Sequence, residues 1–421
     1  MVDTFSKMCR LKIIIRLIFF LCTTAYAQEK SSDSVLANKP DTFFFSKYYI
    51  HQFGVEFRPG YVFQTSSFLR GDNWRGKSIW STSSIHLKYS FKLRPSSCED
   101  YVYNGAYQGI GIARYSFGDK AELGTPTAFY LFQGARVAQF SPRLSLNYEW
   151  NFGISTGWHP YDFYLNPTNK IIGSKANAYL NVNFYLSWAL CRELDLVSGF
   201  TLSHFSNGNT KFPNAGLNTV DAKVGLVYNF NRESVPKRET VYPYSSIPRF
   251  PKHISYDLTL FGSWRRKGVY LNEDTQVASP GSYSVFGFNF APMYNLGYKI
   301  RVGGSLDGVY DGSANVYAND FIKGTDPEFL KPAFNRQIAL GLSARAEYVM
   351  PYFTVGVGVG ANMLHKGGDM KGSYQVLALK IKMTRDTYLH IGYNLKDFKN
   401  PNYLMLGLGF RFHNKYPRLH R

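Results

Sequence analysis

Segments of roughly ten residues, in which apolar and polar side chains alternate, recur along most of the chain and are bounded by Gly, Pro, Asn, Asp or Ser. A period of two belongs to a strand with one apolar and one polar face. A long series of such strands is the sequence form of a transmembrane β-barrel. The pattern predicts eight strands near 49–64, 81–93, 107–117, 126–139, 143–156, 175–190, 193–206 and 219–231. Eight more follow near 253–267, 281–292, 298–308, 334–348, 352–362, 374–384, 387–396 and 403–412. Residues 232–252, rich in charge and Pro and without a period, read as a linker. Beyond the extreme N-terminus no apolar run approaches the ~18 residues of a membrane-spanning helix, so any crossing must be made by strands.

The two sets of strands repeat one another. Arg192-Glu193-x-x-Leu196-x-x-Gly199-Phe200-x-Leu202-x-x-Phe205-x-Asn207 aligns with Arg385-Asp386-x-x-Leu389-x-x-Gly392-Tyr393-x-Leu395-x-x-Phe398-x-Asn400. Alternation alone would not also align the Arg-acid pair, the Gly and the terminal Asn, which points to an internal duplication. Each half closes on a strand with Gly followed by aromatics, at 224–230 and 406–412, as an interfacial girdle requires. The fold class is therefore all-β: a transmembrane antiparallel β-barrel protein of sixteen strands in two eight-stranded repeats. Small residues on one face, such as Gly109, Gly111 and Ala113, or Gly356, Gly358 and Gly360, suit the filled interior of an eight-stranded barrel and favour two tandem barrels. The alternative is one sixteen-stranded barrel. A soluble β-sandwich shares the alternation but accounts less well for the aromatic load of 32 Tyr and 34 Phe.

Lys7, Arg10, Lys12 and Arg16 precede or interrupt the apolar stretch 13–22, and Ala25-Tyr26-Ala27 follows, so residues 1–27 read as a signal peptide. The formal charge of +19 falls by only three on its removal. An exported basic chain meets anionic lipid headgroups or polyanionic glycans, and nucleic acid is not an expected partner. Cys98 and Cys191, the cysteines outside the leader, can form at most one bridge and lack the close spacing of a zinc site. The sequence carries no Walker loop, zinc-protease helix, paired CxxC or GxSxG elbow, so a cofactor- and metal-independent reaction is expected.

One segment is dense in groups that can act together: SHFSNGNTKFPNAGLN, from Ser203 to Asn218. In the seventh strand Leu194, Leu196, Ser198, Phe200 and Leu202 form the apolar, lipid-facing row, and His204 and Ser206 continue it. Both side chains then lie on the outside of the wall where the strand leaves the hydrocarbon. Counted from a periplasmic N-terminus, the seventh strand runs outward and ends at the outer leaflet, where lipopolysaccharide resides. A His within reach of a Ser hydroxyl can take its proton during attack on an ester, provided a third group fixes the imidazole tautomer.

HFSN followed by PN-x-GLN resembles the active-site signature of the outer-membrane lipid A 3-O-deacylases, eight-stranded barrel esterases; the match is sharp over about residues 195–230 and looser before them. The resemblance implies an esterase that removes the 3-linked hydroxyacyl chain of lipid A, with Ser206 as nucleophile and His204 as general base. Asn214 corresponds to the family's oxyanion-hole side chain, assisted by backbone N–H groups near Asn207 and Gly208. The family's acidic position holds Asn218 here. An Asn can orient a His by hydrogen bond, and Asn218 shares the outward parity of Ala222, Val224 and Leu226, whereas Asp221 has the opposite parity. Asn218 is favoured as the third member, with Asp221 the alternative. Asp397 and Lys399 stand where the second repeat would carry His204 and Ser206, so that repeat is expected to be silent.

The expected organisation is a signal peptide over 1–27, a deacylase-like barrel over 28–231, the linker 232–252 and a degenerate second repeat over 253–421. The expected location is the outer membrane of a Gram-negative bacterium. A phospholipase using the same nucleophile would differ in headgroup selectivity, and a non-catalytic pore or structural barrel would be recognised by conductance in planar bilayers.

Overall fold

The computed structural model describes residues 49–95, 97–232, 247–270, 276–318, 328–397 and 400–419. The proposed signal peptide, and all of the linker except Arg232 and 247–252, lie outside the described residues. The first sheet comprises β1 (Tyr49–Val62), β2 (Ser81–Leu93), β3 (Tyr107–Ser116), β4 (Gly124–Ser141), β5 (Leu144–Trp158), β6 (Ala176–Ala189), β7 (Leu194–Ser206) and β8 (Leu217–Phe230). Each strand is antiparallel to the next, and β8 returns to β1, pairing from His51↔Phe230 to Val62↔Thr219, so the sheet is a closed barrel.

The second sheet repeats this with β9 (His253–Arg265), β12 (Tyr283–Asn295), β13 (Ile300–Asp311), β16 (Ile338–Val349), β17 (Phe353–His365), β18 (Ser373–Lys382), β19 (Thr387–Lys396) and β20 (Asn400–Phe412), closed by β20 on β9. Short ribbons, β10 (Gly268–Tyr270) with β11 (Gln276–Ala278) and β14 (Tyr317–Ala318) with β15 (Phe329–Leu330), decorate the connections after β9 and β13. Two eight-stranded barrels, and not one sixteen-stranded wall, are formed.

Closure leaves no strand edge, the condition for a sheet to stand in hydrocarbon. Parity sorts the side chains. On β1, Phe53, Val55 and Phe57 point out and are exposed, while Gln52, Glu56 and Arg58 point in and are buried. The apolar set needs lipid, and the polar set needs partners inside. Glu56 receives Arg58 at 2.6 Å, Lys88 at 3.0 Å and Lys223 at 3.1 Å, and Lys88 also meets Glu149 at 2.6 Å. The second barrel solves the same problem around Asp257, paired with Lys380 and Arg411 at 2.7 Å each. Small inward residues are where large neighbours lean across: a Cβ on Gly111 would sit 2.3 Å from Tyr130 Cζ, and one on Gly360 would sit 2.7 Å from Tyr374 Cζ.

Toward the ends of β3 and β7 the first lumen is closed by a cluster of Tyr115, Phe117, Trp158, Tyr179 and Phe205. The opposite end holds a cavity of about 1390 Å³ lined by Lys88, Glu149 and Tyr185 among others. Cys98 and Cys191 lie in the β2–β3 and β6–β7 connections at that end and are not joined to each other. The barrels touch through their outer walls, where Trp150 meets Phe353 edge-on with ring centroids 5.1 Å apart.

Arg232, just past β8, donates to the Cys191 carbonyl at 2.8 Å and pairs with Asp195 at 2.8 Å, so the first barrel carries its own terminal clasp. A chain ending at Arg232 is therefore expected to insert as a heat-modifiable, protease-resistant barrel. Aggregated material in that assay would mean that the first barrel needs the second to close.

Candidate active site

The site grows from the last turn of alternation on β7. Thr201, Ser203 and Phe205 point inward and are buried, while Phe200 and Leu202 face out at 71% and 55% exposure. Phe205 is the anchor. Its ring packs edge-on against Tyr115 and Trp158, with centroids 5.1 and 5.2 Å away. With Phe205 held inside the lumen, strand geometry places its neighbours His204 and Ser206 together on the outer wall, both partly buried.

His204 stands directly opposite Asn218 in the β7–β8 register, and His204 Nδ1 lies 2.6 Å from Asn218 Oδ1. An amide oxygen only accepts, so the ring donates from Nδ1 and keeps the Nε2 lone pair as a base. Asp221 lies elsewhere: it points into the lumen, is 1% exposed and accepts from Thr219 Oγ1 at 2.8 Å. The barrel wall separates it from His204, so of the two candidates only Asn218 meets the imidazole.

Ser206 pairs with the small Ala178 of β6. No hydrogen bond joins Ser206 to His204 among the described residues, a looseness common before substrate arrives. Both approach Gly216. A Cβ added there would lie 3.1 Å from His204 Cε1 and 3.7 Å from Ser206 Cβ, and φ is +74°. Glycine at 216 thus satisfies a left-handed turn and lets the loop descend onto the pair. Gly216 N–H donates to the Ile171 carbonyl at 3.3 Å, tying this loop to the β5–β6 connection.

Residues 207–216 join β7 to β8 and carry the remaining candidates. Asn214 Oδ1 accepts from Asn207 N–H at 2.9 Å, and Asn214 Nδ2 donates to Asn209 Oδ1 at 3.1 Å. The Asn207 amide is therefore spent within the loop. The second hydrogen of Asn214 Nδ2 remains, as does the Gly208 N–H, which has no acceptor among the described residues. Asn209 and Gly216 were not singled out by the sequence pattern, although Asn207-Gly208-Asn209 is the composition of a left-handed turn, and Gly208 and Asn209 do adopt φ of +62° and +63°.

Asp397, which the repeat aligns with His204, lies in a turn and accepts from Ser373 Oγ at 3.0 Å, while Lys399 lies outside the described residues.

Closed barrels with apolar outer walls and ion-paired interiors define an outer-membrane β-barrel protein, here with a His–Asn pair and a Ser on its lipid-facing surface. The family profile described as lipid A 3-O-deacylase (PagL) matches residues 55–227, and that of the acyloxyacyl hydrolase C-terminal domain matches residues 254–414. The chain belongs to the lipid A 3-O-deacylase family and is an ester hydrolase acting on lipid A in the outer membrane.

Among solved structures it is similar to Neisserial surface protein A, at 12% identity over 44% of this chain and 98% of that one, with a TM-score of 0.27. It is also similar to the siderophore receptor PirA from Pseudomonas aeruginosa, at 6% identity over 87% and 81% of the two chains, with a TM-score of 0.25. No curated protein matches it.

Proposed function

We propose that the first barrel cleaves an ester-linked acyl chain from lipid A in the outer leaflet, with Ser206 as nucleophile, His204 as general base and Asn218 as the group that orients the base. The observation that carries this reading is the 2.6 Å bond from His204 Nδ1 to Asn218 Oδ1 on the same outward face as Ser206. Held in that tautomer, His204 Nε2 takes the Ser206 proton as Oγ attacks the ester carbonyl. The negative charge on the carbonyl oxygen is met by Asn214 Nδ2–H and the Gly208 N–H. His204 returns the proton to the departing sugar oxygen, and the acyl group stays on Ser206 until water, deprotonated by the same Nε2, releases it as a fatty acid. The acyl chain need not leave the membrane, because Leu202 and Leu180 continue the apolar wall below the pair.

The test is mass spectrometry of purified lipid A incubated with the protein, beside glycerophospholipid in a parallel reaction. Loss of one hydroxyacyl mass from lipid A, with phospholipid untouched, is expected. Cleavage of phospholipid alone would make the protein a phospholipase.

Asn218 orients and does not react, so Asn218→Ala is expected to lower kcat by roughly ten- to a hundredfold, less than loss of the nucleophile or base. Asp221→Ala should change kcat little. A crippled Asp221→Ala beside a neutral Asn218→Ala, measured on folded protein, would reverse the assignment.

A further inference from the structure

The loop that carries the oxyanion donors is held from outside its own barrel. Arg266 N–H, just past β9, donates to the Asn209 carbonyl at 3.1 Å, and Asn209 Nδ2 donates to the Asn402 carbonyl on β20 at 3.3 Å. Gly208 rests against the outer wall of the second barrel: a Cβ there would lie 3.5 Å from Tyr393 Cε2 and 3.8 Å from Leu404 Cδ1. The anchorage runs deeper. Asn402 Oδ1 accepts from Arg265 at 2.7 Å and its Nδ2 donates to Asn394 Oδ1 at 2.9 Å, while Arg265 pairs with Asp311 at 3.0 Å. On the catalytic side, Asn209 Oδ1 accepts from Asn214 Nδ2 at 3.1 Å. One side chain therefore spans the gap between the proposed oxyanion donor and the interior polar network of the other barrel.

We infer that Asn209 is a positioning residue through which the second barrel, itself without the Ser–His pair, fixes the oxyanion side of the site in the first. The inference rests on the deacylase reading above. Its physical logic is that an oxyanion donor acts by being fixed before charge develops. The loop has bonds of its own, from Asn207 to Asn214, Thr210 and Lys211, but these tie it to itself and not to a rigid element. Two consecutive left-handed residues without outside support would let Asn214 and Gly208 sample several arrangements. Docking Gly208 on Tyr393 and clamping both the carbonyl and the side chain of Asn209 removes that freedom. The second barrel thus offers a rigid wall, and that wall is what the loop leans on.

The experiment compares full-length Asn209→Asp, Tyr393→Ala and Ser206→Ala with the unaltered protein, reading kcat and KM on lipid A and heat-modifiable folding. Asp tolerates the left-handed conformation and still accepts from Asn214, but it places a carboxylate against the Asn402 carbonyl, so it cuts the side-chain tie to the second barrel and leaves the Arg266 N–H bond to the 209 carbonyl in place. Expected is a fall in kcat of roughly ten- to a hundredfold with KM within about twofold, the signature of misplaced transition-state donors. Tyr393→Ala, wholly within the second barrel, should lower kcat several-fold in the same manner and decides the matter alone if Asn209→Asp does not fold. Unchanged kcat in Tyr393→Ala and in folded Asn209→Asp, beside a dead Ser206→Ala, overturns the inference and leaves the catalytic reading standing. An active Ser206→Ala overturns that reading itself.

Discussion

Ser206→Ala and His204→Ala are each expected to lower lipid A deacylation by roughly 10⁴-fold or more while leaving barrel assembly unchanged. The size follows from the chemistry: alanine at 206 supplies no oxygen to carry the acyl group, and alanine at 204 leaves the hydroxyl to attack as a neutral alcohol. The retained fold follows from the geometry. Both side chains lie on the outer wall and are only partly buried, while the residue between them, Phe205, is the one that packs the lumen. Mass spectrometry of lipid A gives the turnover, and the gel shift between heated and unheated samples gives the fold. Turnover at the original rate in either variant removes the proposed chemistry. A lost gel shift would show that the residue had been holding the barrel. Phe205→Ala is the internal contrast, since it should damage packing first and activity only as a consequence.

The barrel strands were legible because a wall with lipid on one side and a packed interior on the other forces strict alternation, and the same parity put His204 and Ser206 outside and Asp221 inside. That parity is also the ground on which Asn218 is proposed over Asp221 as the group that orients His204. The number of barrels was less legible, because dyad alternation is blind to whether β8 pairs with β1 or with β9. That depended on the indirect signal of small inward residues such as Gly111 and Gly360, which proved to be places where a neighbouring aromatic crosses the lumen.

The contact between Asn209 and Asn402 left no trace in any periodicity. It joins residues of different barrels through one side chain and one carbonyl, and neither position breaks the local pattern. The internal use of the Asn207 amide was equally invisible, since an Asn-Gly-Asn turn announces its conformation and not its hydrogen-bond partners.

The largest effect on stability is expected inside the first barrel, from Glu56→Gln. Glu56 and Glu149 face Arg58, Lys88 and Lys223, so this cluster carries a net charge of +1, and the substitution raises it to +2 in a lumen from which Glu56 and Arg58 are almost wholly excluded from solvent. Three cations then lose their shared partner. Gln keeps one carbonyl oxygen that can accept from Arg58 but no charge. Arg58's other contacts are the bonds to Asn181 and Thr201, each at 3.3 Å, and Lys223 loses its only ion pair among the described residues. Breaking a buried pair by removing one partner costs about 3–5 kcal/mol, because the remaining charge stays desolvated without compensation. The loss should appear as a lower urea midpoint for unfolding from lipid vesicles. If uncompensated positive charge is the cause, adding Lys223→Met should recover a good part of that loss, since methionine has similar length and no charge, and Lys88 still reaches Glu149 at 2.6 Å. A double variant no more stable than Glu56→Gln alone would assign the cost to shape or hydrogen bonding. A single variant as stable as the original would mean that water from the cavity lined by Lys88 and Glu149 reaches the cluster and solvates the cations that Glu56 pairs with.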